Sequence, residues 1–184
     1  MGLFDNIGKT TTGASSPTPG NRSVDVVFPT LPENFEQFRA LPQAALSTPS
    51  ETAAMTVLAL CFYPEYPEIS MDMYRFVSGP RTINPAEYSF IKDRFRDADY
   101  VPRSYFKGAV PANDYKPSET YTITVSENPY TYQNEGCAKM FLTSGGADSQ
   151  RFVMLRKAKD DKWYLWEQFI LVGIRPPEST NPWA

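Results

Sequence analysis

The sequence predicts an α+β fold in which N-terminal helices pack on one face of a curved antiparallel sheet formed by the C-terminal half. Three observations predict it. Two helix starts of one design, Thr48-Pro49-Ser50-Glu51 and Asn84-Pro85-Ala86-Glu87, stand in the first half. Each supplies a capping side chain, a first-turn proline with φ already set, and a Glu that reaches back to the free amides. Beyond Glu119 the apolar spacing changes from helical to alternating, in segments rich in β-branched and aromatic residues. The connections between those segments are too short for parallel crossovers, so the strands run antiparallel.

The chain opens on an apolar cluster, Met1 to Ile7, and then on Gly8 to Arg22, reading GKTTTGASSPTPGNR. That stretch has no aromatic residue and no hydrophobic period, and it cannot offset its own ordering entropy. Residues 1–23 are therefore expected as a flexible tail and 24–184 as a single α+β domain. Gly2 suggests myristoylation, but Asn6 stands where that motif needs Ser or Thr. A short strand is expected over 25–28. Pro29 and Pro32 lead into a helix over 33–41, where Phe35, Phe38 and Leu41 recur at helical spacing and Pro42 ends the run. The helix capped by Thr48 extends to about Phe62 and is apolar nearly all round, which marks it as the central core helix. Ser70 is read as the cap of a third helix over 71–78, closed by Gly79-Pro80. The helix from Asn84 carries Tyr88, Ile91 and Phe95 on one stripe. Residues 103–117 read as a loop pinned by Tyr105, Phe106 and Tyr115. Strands follow over 121–125, 130–132, 137–143, 151–157 and 163–171, with Asp160-Asp161 turning between the last two.

Composition excludes several kinds of chemistry. With no histidine in 184 residues, neither a Ser-His-Asp triad nor a Cys-His pair can be built. Two cysteines, Cys61 and Cys137, cannot supply a four-ligand structural zinc site, and no cofactor-binding motif occurs, so neither metal nor cofactor is expected. Eighteen Lys and Arg are interspersed with twenty-one Asp and Glu for a net charge of -3, which argues against nucleic acid as the main partner. No run approaches the roughly 18 apolar residues of a transmembrane segment, and no basic start precedes an apolar stretch. The expected location is the cytoplasm, with both thiols reduced.

Candidate site residues follow from position. Glu167 lies in an otherwise apolar strand, and simple alternation places it on one face with Leu165 and Phe169. If that face is the core, the carboxylate needs a mate, and Arg94, near Ile91 and Phe95 on the fourth helix, is the natural one. Glu167, Asp93, Arg94 and Tyr105 are thus the candidate acid and base groups. The loop Gly145-Gly146-Ala147-Asp148-Ser149 superficially resembles a phosphate cradle but leads into a strand rather than a helix, so it reads as a hairpin turn. Asp148 and Arg151, with Arg103, form a candidate recognition tip for a ligand or partner. Cys61 sits on the most apolar helix as a small core residue; Cys137 has only Lys139 nearby and is not expected to be reactive.

The runs Leu31-Pro32-Glu33-Asn34-Phe35, Lys92-Asp93-Arg94-Phe95, Pro102-Arg103-Ser104-Tyr105-Phe106, Gly145-Gly146-Ala147-Asp148-Ser149, Trp163-Tyr164-Leu165-Trp166-Glu167-Gln168 and Asn181-Pro182-Trp183-Ala184 resemble a family of uncharacterised bacterial proteins. The resemblance implies bacterial origin and a domain of unknown function, and it supplies no catalytic residue. The order of elements is also similar to the cone-shaped α+β roll of the nuclear-transport-factor-2-like superfamily, which hosts enzymes and non-catalytic binding proteins alike. Two functions follow as expectations. The first is a non-catalytic cytoplasmic binding or adaptor domain for a protein or small ligand. The alternative is a small cone-pocket enzyme, hydrolase or isomerase, working with carboxylate and tyrosine.

Overall fold

Helix starts form where cap chemistry places them. In α2 (Pro49–Cys61) the Thr48 hydroxyl accepts the Glu51 amide at 3.2 Å, and the Glu51 carboxylate accepts the Thr48 amide at 3.1 Å. The Asn84 side chain accepts the Glu87 amide at 2.8 Å to open α4 (Pro85–Phe95), but the Glu87 carboxylate, expected to reach back to the free amides, is bonded to Arg81 and Tyr74 instead. Asn34 caps α1 (Phe35–Ala40) in the same way at 2.9 Å. Helix α3 (Pro67–Ser78) begins earlier than the sequence suggested, because Pro67 and not Met71 occupies its first turn. Ser70 is then no cap: it is buried and donates to the Ala59 carbonyl at 2.8 Å, tying α3 to α2.

A computed structural model describes residues 20–118 and 120–183. The expectations for Met1 to Ile7 and for most of the tether fall outside those residues. Among the described residues, five strands form one sheet in chain order: β1 (Arg22–Phe28), β2 (Tyr121–Glu127), β3 (Cys137–Leu142), β4 (Arg151–Lys157) and β5 (Trp163–Gln168). Every neighbouring pair is antiparallel. The fold is α+β as the sequence predicts, with one correction. The sheet is not formed by the C-terminal half alone, because β1 pairs with β2 along its whole length, from Arg22 opposite Glu127 to Phe28 opposite Tyr121. The strand begins at Arg22, so the boundary expected at residue 24 falls inside it. The strand expected over 130–132 is a turn instead: Thr131 is buried and its hydroxyl accepts the Asn128 amide at 2.9 Å.

Helix α2 lies across the inner face of the sheet. Its Ala53, Met55, Leu58 and Leu60 are fully buried, as are Ile123, Met140, Val153, Leu155 and Leu165 of the strands. Each of the Val, Leu, Ile and Met side chains contributes about 1.5–3 kcal/mol relative to exposure. These side chains meet between helix and sheet, and the five-strand meander is open, with β1 and β5 as its edges. No described helix is long and apolar enough to cross a membrane.

Candidate functional site on the outer sheet face

One extra residue in β5 sets the geometry of the site. Val153 faces Gln168 and Met154 faces Glu167, but Leu155 faces Leu165, so Trp166 is a bulge with no partner of its own in β4. A bulge breaks the two-residue alternation and turns the side chains beyond it to the other face. Leu165 and Gln168 therefore point inward and are buried, whereas Trp166, Glu167 and Phe169 are exposed. The expectation that Glu167 shares a buried face with Leu165 and Phe169 is corrected accordingly. Glu167 has no ion-pair partner among the described residues.

The outer face that receives these residues is an aromatic row. Regular alternation in β3 and β4 turns Ala138, Met140, Leu142, Val153 and Leu155 to the core and leaves Lys139, Phe141, Phe152, Met154 and Arg156 outside. Phe141 and Phe152 stand opposite each other with ring centres 6.2 Å apart, and Phe152 meets Phe169 at 4.6 Å. The Lys139 ammonium lies 3.9 Å from the Phe152 ring centre, and the Arg156 guanidinium 4.4 Å from Trp166. Neither cation has a carboxylate within 4.0 Å among the described residues. Rings and aliphatic stems are held at the surface while the charges have only a π face to lean on.

Two shallow hollows flank β5. One of about 510 Å³ is lined by Asn84, Ala86, Glu87, Phe90, Glu167 and Phe169. The other, of about 240 Å³, is lined by Arg81, Arg156, Lys157, Tyr164 and Trp166. Arg81 and Glu87 each line one hollow and join in a closed polar cluster. Arg81 donates to Glu87 at 2.6 and 2.9 Å and through Nε to the Leu165 carbonyl at 3.1 Å, while the Tyr74 hydroxyl donates to Glu87 at 2.7 Å. Burial pushes the Glu87 carboxyl up, but the hydrogen bonds from Arg81 and Tyr74 outweigh it and hold the group below its ordinary range. Burial, and then the Glu87 charge, push the Tyr74 hydroxyl well above its ordinary value.

The other sequence candidates lie away from Glu167, and only Asp93 and Arg94 share a hollow. Asp93 pairs with Arg96 at 2.6 Å in the open. Arg94 lies 5.3 Å from the ring centre of Phe90 and, with Asp93, lines a separate hollow of about 280 Å³ that does not include Glu167, to which it is not paired. Tyr105 is buried, its hydroxyl donating to the Ile170 carbonyl at 2.6 Å, and burial pushes it far above the usual range. Asp148 is exposed and accepts from Arg175 at 2.7 Å. Arg151 is committed to backbone, donating to the carbonyls of Val172 at 2.9 Å and Gly173 at 2.7 Å. Arg103 is half-buried in the 3-10 turn Pro102–Tyr105, where its charge only partly offsets the burial that pushes the Cys61 thiol up to about 12. The Gly145 to Ser149 loop is a turn that leads into β4. Among the described residues no cluster of His, Cys, Asp and Glu is placed to hold a metal ion.

Domain of unknown function (DUF6935) matches this chain over residues 30–178. The chain belongs to that family. No curated protein and no solved structure matches it. In this DUF6935 chain the matched span holds α1 to α4 and β2 to β5, and with them the whole aromatic row, but begins after β1. Sequence reasoning missed the row because it weighed charged residues singly. The signal was present: in Lys139-Met140-Phe141 and Phe152-Val153-Met154, alternation puts apolar side chains on both faces of the strand, more than one core can use.

Proposed function

We propose that this DUF6935 chain is a non-catalytic binding domain whose outer sheet face docks an acidic, apolar segment of a protein partner. The observation that carries the reading is the row Phe141, Phe152, Phe169 and Trp166 with Lys139 and Arg156 lying on its rings and, among the described residues, lacking carboxylates within 4.0 Å. Aromatic residues, Met and Arg are the side chains enriched in protein interfaces, and Met154 and Arg156 complete that set. Charge complementarity selects the partner: a carboxylate above each cation would supply the missing anion, and apolar side chains would cover the rings. Nucleic acid is disfavoured, since two cations on a chain of net charge -3 make little of the concentrated positive field a polyanion requires.

The fate of the catalytic candidates supports binding over chemistry. Tyr105 has spent its proton on a backbone carbonyl, and Glu167 stands in an open hollow whose other carboxylate, Glu87, is already engaged by Arg81 and Tyr74. The proposal keeps a tail ahead of a single domain and a bacterial, cytoplasmic setting; both cysteines are free thiols, which is compatible with a reducing compartment. Titration of isotope-labelled protein with peptides alternating Glu and Phe, and with their Lys-Phe counterparts, tests it. The acidic peptides are expected to shift the amides of Lys139, Phe152 and Trp166, and a Lys139→Glu, Arg156→Glu protein is expected to reverse the preference. Indifference to peptide charge would overturn the reading, and tighter binding of oligothymidylate would replace it with single-strand stacking.

A further inference from the structure

The two edges of the sheet are finished differently. At β5 the Leu46 carbonyl accepts the Trp163 amide at 2.9 Å, the Thr52 hydroxyl donates to the Trp163 carbonyl at 2.8 Å, and Arg81 covers the Leu165 carbonyl. The bulge at Trp166 then bends what is left. These are devices by which proteins prevent edge-to-edge pairing. At β1 the strand is regular over seven residues with no bulge and no proline, and among the described residues its cover is a single hydrogen bond from the Gln43 side chain to the Val27 carbonyl at 3.0 Å.

The direction of the free groups can be worked out. Thr122 and Thr124 give their carbonyls to Lys107 and Thr143, on the side of β2 away from β1. In an antiparallel ladder the groups of successive residues alternate sides, so Ile123 and Val125 face β1 and bond to Val26 and Val24 opposite them. The amides and carbonyls of Ser23, Asp25 and Val27 consequently point outward, which agrees with the bond from Gln43 to Val27. Among the described residues, nothing covers the Arg22 to Asp25 end of this edge.

We infer that this edge pairs with β1 of a second copy of the chain, antiparallel, about a two-fold axis through Val24. That register sets Ser23 opposite Asp25 of the second copy and Asp25 opposite its Ser23, two hydrogen-bonded pairs that each exchange both N–H···O bonds. It opposes each carboxylate to a hydroxyl, and half-buried Val24 to Val24, extending the inner apolar layer across the axis. Shifting the axis to Asp25 would oppose two carboxylates, and shifting it to Ser23 would cover Val24 with Arg22. The occupant is thus selected by the strand's complementarity to itself. Because the axis runs normal to the sheet, both outer faces lie on the same side of the joined sheet. If the reading of the aromatic row holds, the dimer presents two rows to one partner surface and gains by avidity; the pairing itself does not depend on that reading.

Sedimentation of the full chain over a concentration series up to about 1 mM, the weak end of specific association, tests the pairing without any partner. The expected result is a concentration-dependent dimer that Ser23→Pro converts to a monomer with its thermal midpoint retained. Proline at an outward-facing edge position removes the amide that the second copy needs and spares the ladder to β2, at the loss of one exposed hydroxyl contact to Ser126. Since that variant could fail to fold, Val24→Cys in a Cys61→Ala, Cys137→Ala background gives a second measurement. Opposed cysteines about 4.5 Å apart at Cα in a non-hydrogen-bonded pair can bridge. A reducible dimer is expected from Val24→Cys and none from Ser23→Cys. A native chain that stays monomeric throughout, or a dimer that neither Ser23→Pro nor the Val24→Cys bridge touches, overturns the inference.

Discussion

Two groups of cationic and aromatic side chains lie within one sheet's width of each other and are finished in opposite ways. Around Arg81, Glu87 and Tyr74 each charge has its mate: the side chains of Arg81 and Glu87 are only 12% and 17% exposed, and Tyr74 is buried. Around Phe141, Phe152, Phe169 and Trp166 the cations lie on rings and have no carboxylate within 4.0 Å among the described residues. Burial explains the difference. A charge withdrawn from water must be matched inside the protein, whereas one left at the surface is matched by solvent until something displaces it. The closed group belongs to the fold, and the open one remains available to a partner.

The comparison can be broken hardest at the closed group. Arg81→Met should cost about 3–5 kcal/mol, because it strands the Glu87 carboxylate and uncovers the Leu165 carbonyl. Urea unfolding measures it, and a loss below about 1 kcal/mol would place Arg81 with the surface charges. Acid sharpens the same point. The folded-state pKa of Glu87 is depressed below 4.5, so its contribution is fully present above that pH and disappears as pH falls through the lower folded value. The stability gap between native protein and Glu87→Gln should thus be widest near neutrality and narrow on acidification; a gap independent of pH would show that the charge is irrelevant.

Smaller effects are expected on the open face. Lys139→Ala removes a cation resting on Phe152 and should change stability by about 0.5–1 kcal/mol, while weakening capture of the acidic peptides more strongly. A stability loss matching that of Arg81→Met would mean the row is structural. Glu167→Ala should stay within about 0.5 kcal/mol of the native protein, as is usual for an exposed side chain without partners. A thermal melt resolves this last outcome, and a large drop would show that the bulge at Trp166 has been misplaced.

What the sequence determined by itself were the features whose cause lies within a few residues. The caps at Thr48 and Asn84, the burial of α2 nearly all round, and the alternation in β3 and β4 depend on bonds and spacings three or four positions long, and they stand where the residues predict them. Tertiary structure decided the rest. Whether residues 25–28 joined the sheet depended on β2, almost a hundred positions away. Whether Glu167 faced the core depended on how β5 settled against β4, where the one unpaired residue, Trp166, reverses every side chain that follows it. Arg81 had no local signal, since its mates are a carboxylate six positions on and a carbonyl 84 positions on. Strand register and buried pairing are chosen by the total burial of both partners, and no single segment carries that sum.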